Sequence, residues 1–131
     1  MRYYTAVVHQ EGDSAFGLSF PDLPGCFAAA EDWEEIPEKV SEALDLYFED
    51  TETVEPRPLN ALRALPEVQE ALGEGATLMA VPYIAPDGTQ VRANISLDRG
   101  LLRAIDETAQ ARRMSRSAFL AALARREITG V

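Results

Sequence analysis

A short segment near the end of the chain constrains the fold more than any other feature. In QVRANISLDRG, residues 90–100, apolar and polar residues alternate. This period of two predicts a β-strand with one apolar face and one hydrogen-bonding face. The apolar face carries Val91, Ala93, Ile95 and Leu97, and the polar face carries Arg92, Asn94 and Ser96.

Two amphipathic helices are predicted after this strand. Asp98 is a suitable N-cap for the first helix and Ser115 for the second. No Gly or Asn stands where the first helix should end, so we expect Arg113 or Met114 to adopt a strained backbone conformation there. The predicted inner faces consist of Leu101, Leu102, Ile105 and Ala109 in the first helix and Phe119, Leu120, Leu123 and Ile128 in the second.

A strand and two helices in about 40 residues are too few to close a hydrophobic core. If the strand pairs with its copy from a second chain, the two strands form an antiparallel ribbon and four helices cover its apolar face. The sequence therefore predicts a homodimer. Its core is expected to contain Val91, Ala93, Ile95, Leu97, Leu101, Leu102, Ile105, Phe119, Leu120 and Leu123.

Charge divides the chain at about the same place. Residues 1–90 contain 4 Lys and Arg against 18 Asp and Glu, for a net charge of −14, whereas residues 91–131 contain 8 against 4, for a net charge of +4. The acidic part is expected to repel nucleic acid and attract a basic protein, although acidity also serves solubility alone. The basic part, whose cations are all arginine, suits phosphate contacts.

The acidic part reads as a small α+β domain. RYYTAVVHQ and AFGLSFPDL predict a β-hairpin, CFAAAED a third strand, and residues 32–50 an amphipathic helix. Asp32 and Glu35 resemble a capping box, while Pro37 predicts that the regular helix begins a turn late. A proline-containing connector, a short helix LNALRALPEVQEALG and a last strand in ATLMAVPYI complete the domain, with a boundary near residues 85–90.

Residues 91–128 resemble a ribbon-helix-helix DNA-binding module. In that class the dimeric ribbon enters the major groove, which implies base contacts by Arg92, Asn94 and Ser96. The start of the second helix and the preceding arginines would contact phosphates through Ser115, Arg116, Ser117, Arg112 and Arg113. The alternative is that the three polar strand residues are only the solvated face of an edge strand.

The stretch FPDLPGCF, residues 20–27, with the acidic turn and helix at 31–50, is similar to the N-terminal domain of the HicB antitoxin family. The resemblance implies a partial ribonuclease-H-like domain at 1–86, in the order β-β-β-α-(α)-β, followed by a ribbon-helix-helix domain at 90–131. It also implies a partner, a HicA-like toxin, which is a small basic ribonuclease that cleaves mRNA. Candidate toxin contacts are Glu31, Asp32, Glu34, Glu35 and Trp33, although Trp33 could instead be a core residue between helix and sheet.

An enzymatic function is not expected. A two-metal nuclease needs carboxylates that converge from strands, yet the first strand has none, and Glu11, Asp13 and Asp22 fall in predicted turns. His9 and Cys26 lack the neighbours of a nucleophilic site and are expected to be a surface and a small buried residue, respectively. One cysteine and one histidine cannot form an ordinary structural zinc site, so we expect neither metal nor cofactor.

These inferences combine into one predicted function and one alternative. The chain is predicted to be an antitoxin that binds and occludes a HicA-like toxin and, as a homodimer or tetramer, binds operator DNA to repress its own operon. The alternative is a repressor whose acidic domain senses a small molecule or only oligomerises; a divergent nuclease is a weaker third reading. No membrane-spanning run or leader is apparent, so we expect a cytoplasmic protein.

Overall fold

A computed structural model describes residues 1–130. Residues 1–85 form the body of an N-terminal unit, and residues 86–128 form a C-terminal unit. Both predicted classes of element are present, so the chain is of the α+β type. No helix within the described residues is long and apolar enough to cross a bilayer. The elements are β1 (Arg2–Gln10), β2 (Phe16–Ser19), β3 (Phe27–Ala30), a 3₁₀ turn (Trp33–Glu35), α1 (Ile36–Tyr47), α2 (Leu59–Arg63), α3 (Pro66–Gly73), β4 (Thr77–Tyr83), α4 (Arg99–Ala111) and α5 (Arg116–Thr129).

The four strands of the N-terminal unit form an antiparallel sheet in the order β3-β2-β1-β4. The predicted hairpin is confirmed, and Gly12 supplies the positive φ of 58° that its turn requires. The predicted last strand is confirmed as well, because β4 returns to pair with β1 at the edge of the sheet. Pairing of Val7 with Ser19, and of Ser19 with Phe27, places these three side chains in one row on the same face.

Helix α1 packs on the other face of the sheet and forms the main core. Its buried residues Ile36, Val40 and Leu44 contact a sheet face that includes Tyr4 and Leu18. Each such side chain stabilises the fold by roughly 1.5–3 kcal/mol when it leaves water. These contacts fix which face of the sheet remains for α3.

The start of this helix was predicted in part. The regular helix does begin a turn late, since a 3₁₀ turn precedes Ile36 and Pro37 lies in the first helical turn. The capping box is wrong: the Asp32 side chain makes no capping hydrogen bond, and the Glu35 carboxylate accepts instead from the Glu31 backbone N–H at 3.1 Å. The 3₁₀ turn moves Glu35 away from the position that a box requires.

The single helix expected after the connector is two helices, α2 and α3. Pro66 has no N–H to donate and disfavours helical backbone at the preceding residue, so Leu65 is extended with ψ 132°. The break turns α3 onto the free face of the sheet. There Val68 and Ala71 pack against Val7 and Leu78.

Polar contacts fasten the connector to the sheet domain, among them those of Tyr4 and Asp22. The Tyr4 hydroxyl donates to the Val54 carbonyl. The Asp22 carboxylate accepts from the Arg57 Nε at 2.6 Å and from its backbone N–H at 3.1 Å. The Asp22 side chain is only 4% exposed, so removal of Arg57 would leave a nearly buried carboxylate without its salt bridge.

In the C-terminal unit, α4 and α5 enclose a small core of Ile105, Ala109 and Phe119. Both predicted caps are confirmed. Asp98 Oδ2 accepts from the Leu101 N–H at 3.2 Å, and Ser115 Oγ accepts from the Ala118 N–H at 3.1 Å.

The expected strain at the end of α4 is also present. Arg113 has a φ of 56°, and the Met114 N–H donates to the Ala109 carbonyl at 2.8 Å, which closes the helix in a Schellman-type turn. Residues 84–98 form neither helix nor ladder. Within the part of the chain that is described, no backbone hydrogen bond joins 90–97 to another segment. Its pairing with a second chain stays a prediction.

Candidate functional site

The unpaired segment 91–97 presents both of its faces to solvent. On the apolar side Val91 is 84% exposed and Ile95 65% exposed, and on the polar side Arg92, Asn94 and Ser96 are exposed too. Large apolar side chains in water at neighbouring positions are typical of an association surface. The geometry of a single chain is therefore compatible with the expected ribbon, whose apolar side would be covered by a partner strand and helices.

The rest of the expected dimer core is mixed in its exposure. Ile105 and Phe119 are buried within the chain, whereas Leu101 is 52% and Leu123 39% exposed. The apolar stripe is thus only partly covered by contacts between α4 and α5. The remaining members are half-buried Leu102 and Leu120 and exposed Ala93 and Leu97.

The arginines expected to contact phosphate differ in the contacts that they already make within the chain. Arg116 forms a bidentate pair with Asp106, with both N···O distances at 2.8 Å, so its guanidinium links α5 to α4. Hydrogen bonding from Arg116 lowers the pKa of Asp106, and the same bond raises the pKa of Arg116. Arg112 lies over the Phe119 ring at 5.6 Å from its centroid, while Arg113 is exposed in the turn.

The start of α5 leaves polar groups open to solvent. Ser115 and Ser117 are exposed, although the Ser115 hydroxyl already caps the helix. The first backbone N–H groups of a helix of this length carry a partial positive charge that suits a phosphate. The backbone N–H groups at the start of α5 can form such a positive surface without Arg116, whose guanidinium is paired with Asp106.

A second candidate surface lies where the chain enters α1. Trp33 is 52% exposed and contacts Phe16 edge to face, with ring centroids 5.5 Å apart. The core alternative for Trp33 is therefore wrong, because the 3₁₀ turn keeps it at the rim of the sheet. Glu31, Asp32 and Glu34 are exposed around it, and a shallow cavity of about 410 Å³ opens beside the two rings.

The residues considered for catalysis lie apart or are engaged. His9 is exposed near the end of β1, and Cys26 is buried with its sulfur 3.8 Å from the Ala43 carbonyl oxygen. Burial raises the pKa of the Cys26 thiol, which keeps it protonated and unreactive at neutral pH. The Asp22 carboxylate is held by Arg57. Among residues 1–130 no three acidic, His or Cys side chains are placed to hold a metal ion.

Sequence reasoning missed the three ion pairs Arg2–Glu55, Asp22–Arg57 and Arg116–Asp106, and it missed a cavity of about 400 Å³ on the sheet face that carries α3. The pairs join residues 53, 35 and 10 positions apart in the chain, respectively. In their strands, Ser19 and Phe27 alternate with residues that are buried, and this alternation is the sequence signal that was available for the second sheet face. The alternation does not show which part of that face α3 leaves uncovered.

A family model described as "HicB_like antitoxin of bacterial toxin-antitoxin system" matches residues 4–124, and so spans both units. The fold resembles the crystal structure of the Burkholderia pseudomallei antitoxin HicB, with 26% identity, a TM-score of 0.52, and coverage of 98% of this chain and 97% of that one. The crystal structure of antitoxin HicB3 is similar at 29% identity and a TM-score of 0.51, covering 97% and 98% of the two chains.

A chain from the HicA3 and HicB3 toxin-antitoxin complex has a TM-score of 0.51 and 23% identity, with 61% of this chain and 95% of that chain covered. At this identity the likeness concerns the fold alone.

Proposed function

The chain belongs to the HicB-like antitoxin family of bacterial toxin-antitoxin systems, and from this premise we propose that its two units divide toxin neutralisation and DNA binding between them. The observation that carries the proposal is the family match, which extends from residue 4 to residue 124 and thus across both units. Members of this family are regulatory antitoxins and not enzymes, which confirms the expectation that the chain is not an enzyme.

We assign toxin binding to residues 1–86, as a partial ribonuclease-H-like domain that occludes a small basic HicA-like ribonuclease. The strand and helix order of the N-terminal unit supports this domain type, and the HicA3 and HicB3 complex contains a chain of similar fold. A net charge of −14 over residues 1–90 would steer and orient a basic partner. Exposed Glu31, Asp32 and Glu34 with Trp33 offer charge around an aromatic anchor, and Glu35 orders their turn.

We assign DNA binding to residues 90–131, as a ribbon-helix-helix dimer. The exposed apolar side of segment 91–97 and the two capped helices support this arrangement. Arg92, Asn94 and Ser96 from each subunit would then contact base edges, as arginine does with guanine and asparagine with adenine. Ser115, Ser117 and the nearby arginines would hold phosphates, with operator binding as the means of autorepression.

The toxin half of the proposal is tested by co-expression with the product of a neighbouring gene that encodes a small basic protein. We expect the two proteins to co-purify and the growth arrest caused by the neighbour alone to disappear. If the neighbour is toxic but neither binds this chain nor is neutralised by it, toxin binding is wrong. A chain that binds its upstream DNA and no neighbouring protein would fit the alternative repressor function.

The DNA half is tested with Arg92→Ala. Loss of one base-contacting arginine per subunit should weaken operator binding by about 1–3 kcal/mol per contact and relax base preference at that position, while toxin rescue stays intact. Binding is measured by fluorescence anisotropy on DNA from upstream of the operon, and Arg103→Ala, another exposed arginine, serves as the control. Equal loss of DNA binding and toxin rescue in the Arg92 variant would contradict the division of function between the units.

A further inference from the structure

The sheet of the N-terminal unit has one face that is only half covered. On the side opposite α1, paired residues form two rows across the strands, Val7–Ser19–Phe27 and His9–Gly17–Ala29. Helix α3 covers the Val7 end of the first row through Val68 and Ala71. At the other end Phe27 is 70% exposed and Ala29 is exposed, so β2 and β3 present an open surface on this side.

The open surface is concave where it meets α3. The cavity of about 400 Å³ lies between α3 and the loop that joins β2 to β3, with Ser19 and Phe27 on its floor. Beside the cavity lies Gly17, two residues before Ser19 on the same sheet face and paired with the cavity residue His9. No atom lies within 4 Å of the position that a Cβ of Gly17 would occupy, and its φ is not in the left-handed region. A side chain from another molecule can therefore reach the sheet above Gly17 without displacing any group.

The wall of this groove is acidic. Glu67, Glu70 and Glu74 line it from α3, and the spacing of three and four residues keeps them on one side of the helix. None of the three belongs to a salt bridge among those that the described chain contains. No lysine or arginine lines the cavity, and His9 is its one basic-type side chain. The groove thus combines an apolar floor with three unpaired carboxylates.

We propose that this groove, rather than the entry to α1 alone, receives a basic segment of the toxin partner. An apolar side chain of that segment would lie over Gly17 and Phe27 while its lysines or arginines face the carboxylates of α3. The inference rests on the proposed toxin-binding function and names the surface that carries it. A second copy of this chain is a poorer occupant, because two N-terminal units repel each other, each with 4 Lys and Arg against 17 Asp and Glu over residues 1–85, for a net charge of −13.

Gly17→Lys tests the open sheet surface beside the cavity. The new side chain is sterically tolerated by the fold, but it blocks the space above the strand and repels a basic segment, so the Kd for the co-purified toxin should rise about 30-fold, as for loss of an interface hot spot. Thr51→Lys is the control, because it makes the same charge change at an exposed position after α1, away from the cavity and from the carboxylates of α3. We expect the control to bind like wild type.

The acidic wall is tested with the triple variant E67Q/E70Q/E74Q. Its association rate should fall about tenfold at low salt and become less salt-dependent. The control is E38Q/E42Q/D45N on α1, which removes the same number of charges from exposed positions away from the groove. Circular dichroism melts of all variants establish that the fold is retained before binding is compared.

The outcomes separate the two levels of inference. If wild type does not bind the toxin at all, the proposed function fails. If wild type binds but Gly17→Lys and the α3 triple variant bind with unchanged affinity and rate, the groove is not the docking surface and the proposed function stands. If Gly17→Lys instead lowers the oligomeric mass of the free chain in light scattering, a second copy occupies the groove, and the proposed occupant is wrong.

Discussion

A single residue sets the backbone conformation where α4 ends. Arg113 is the one non-glycine residue among positions 1–130 with a positive φ, and it lies where α4 closes before α5. An L-residue with a side chain pays about 1 kcal/mol for this conformation relative to glycine. We expect the charge of Arg113 to serve the proposed phosphate contact, which would compensate for the backbone strain.

Arg113→Gly should therefore separate stability from function. The substitution relieves the strained φ, so we expect the C-terminal unit to gain up to about 1 kcal/mol in free energy of unfolding, with a higher Tm in thermal melts. DNA affinity should fall in the same variant if Arg113 contacts phosphate. Arg112→Gly is the control, since Arg112 has ordinary φ and the change should destabilise. A lower Tm for Arg113→Gly would contradict the strain argument.

Asp22 is a second residue whose individual contacts matter for stability. Its carboxylate is nearly buried and accepts two hydrogen bonds from Arg57, which holds the connector against the sheet. Asp22→Ala leaves Arg57 without both acceptors, and we expect a loss of about 1–3 kcal/mol in urea unfolding. Asp13→Ala, an exposed acid in the hairpin turn, controls for charge and should change stability little. Equal stabilities of the two variants would show that the pair contributes nothing.

At the level of elements, α4 and α5 are joined by more than their small core. With only Ile105, Ala109 and Phe119 buried between them, the Arg116–Asp106 pair supplies a directional contact that sets how the helices meet. Because the lowered pKa of Asp106 means that folding favours its ionised form, this contribution is present above the ordinary aspartate range and is lost as pH falls through the lowered pKa.

Asp106→Asn tests this contact between helices. We expect a lower Tm of the C-terminal unit at pH 7, with a difference from wild type that shrinks as the pH is lowered through the acid range and also shrinks at high salt. The effect should be small, because both side chains are accessible to solvent. A Tm difference that is constant from pH 7 to pH 3 would indicate a packing effect of the amide and not loss of the ion pair.

At the scale of the whole molecule, the two units differ in the size of their hydrophobic cores. The N-terminal unit has a core of thirteen buried residues between α1 and the sheet, and a further cluster beneath α3. The C-terminal unit buries three. A core of the first size can sustain a domain alone, whereas a core of the second size is marginal, and the proposed dimer would add to it the contacts of another chain.

Truncation after Pro86 should accordingly leave a folded acidic domain. We expect it to unfold cooperatively, to bind the toxin and to have lost DNA binding. The full chain should show a second transition whose Tm rises with protein concentration, because the proposed dimer would stabilise the C-terminal unit. Calorimetry of both proteins measures this. A truncated chain that is folded but cannot rescue growth against the toxin would show that neutralisation requires the C-terminal unit or oligomerisation.

Much of the fold followed from local patterns. Apolar, aromatic and β-branched runs between turn residues located each strand of the sheet, and repeats of three to four residues located both C-terminal helices. The caps at Asp98 and Ser115 marked helix starts, because these features depend on residues that are close together in the chain. The apolar pattern over residues 59–73 predicts one helix, but Pro66 divides it in two, because a proline disfavours helical backbone at the residue before it. The late start of α1 after Asp32 was predicted, but the capping box was not formed.

The sequence by itself determined the α+β class, the two-part division of charge and the two-faced segment at 91–97, since composition and short-range periodicity are enough for each. The family followed from the resemblance of residues 20–27 and 31–50 to HicB antitoxins. Only the tertiary structure decided that Trp33 lies at the rim, that Asp22 and Arg116 are held by distant partners, and that α3 leaves the sheet open above Gly17. Those properties depend on contacts between residues that are far apart in the sequence. Such contacts are set by tertiary packing, which cannot be predicted from local sequence patterns.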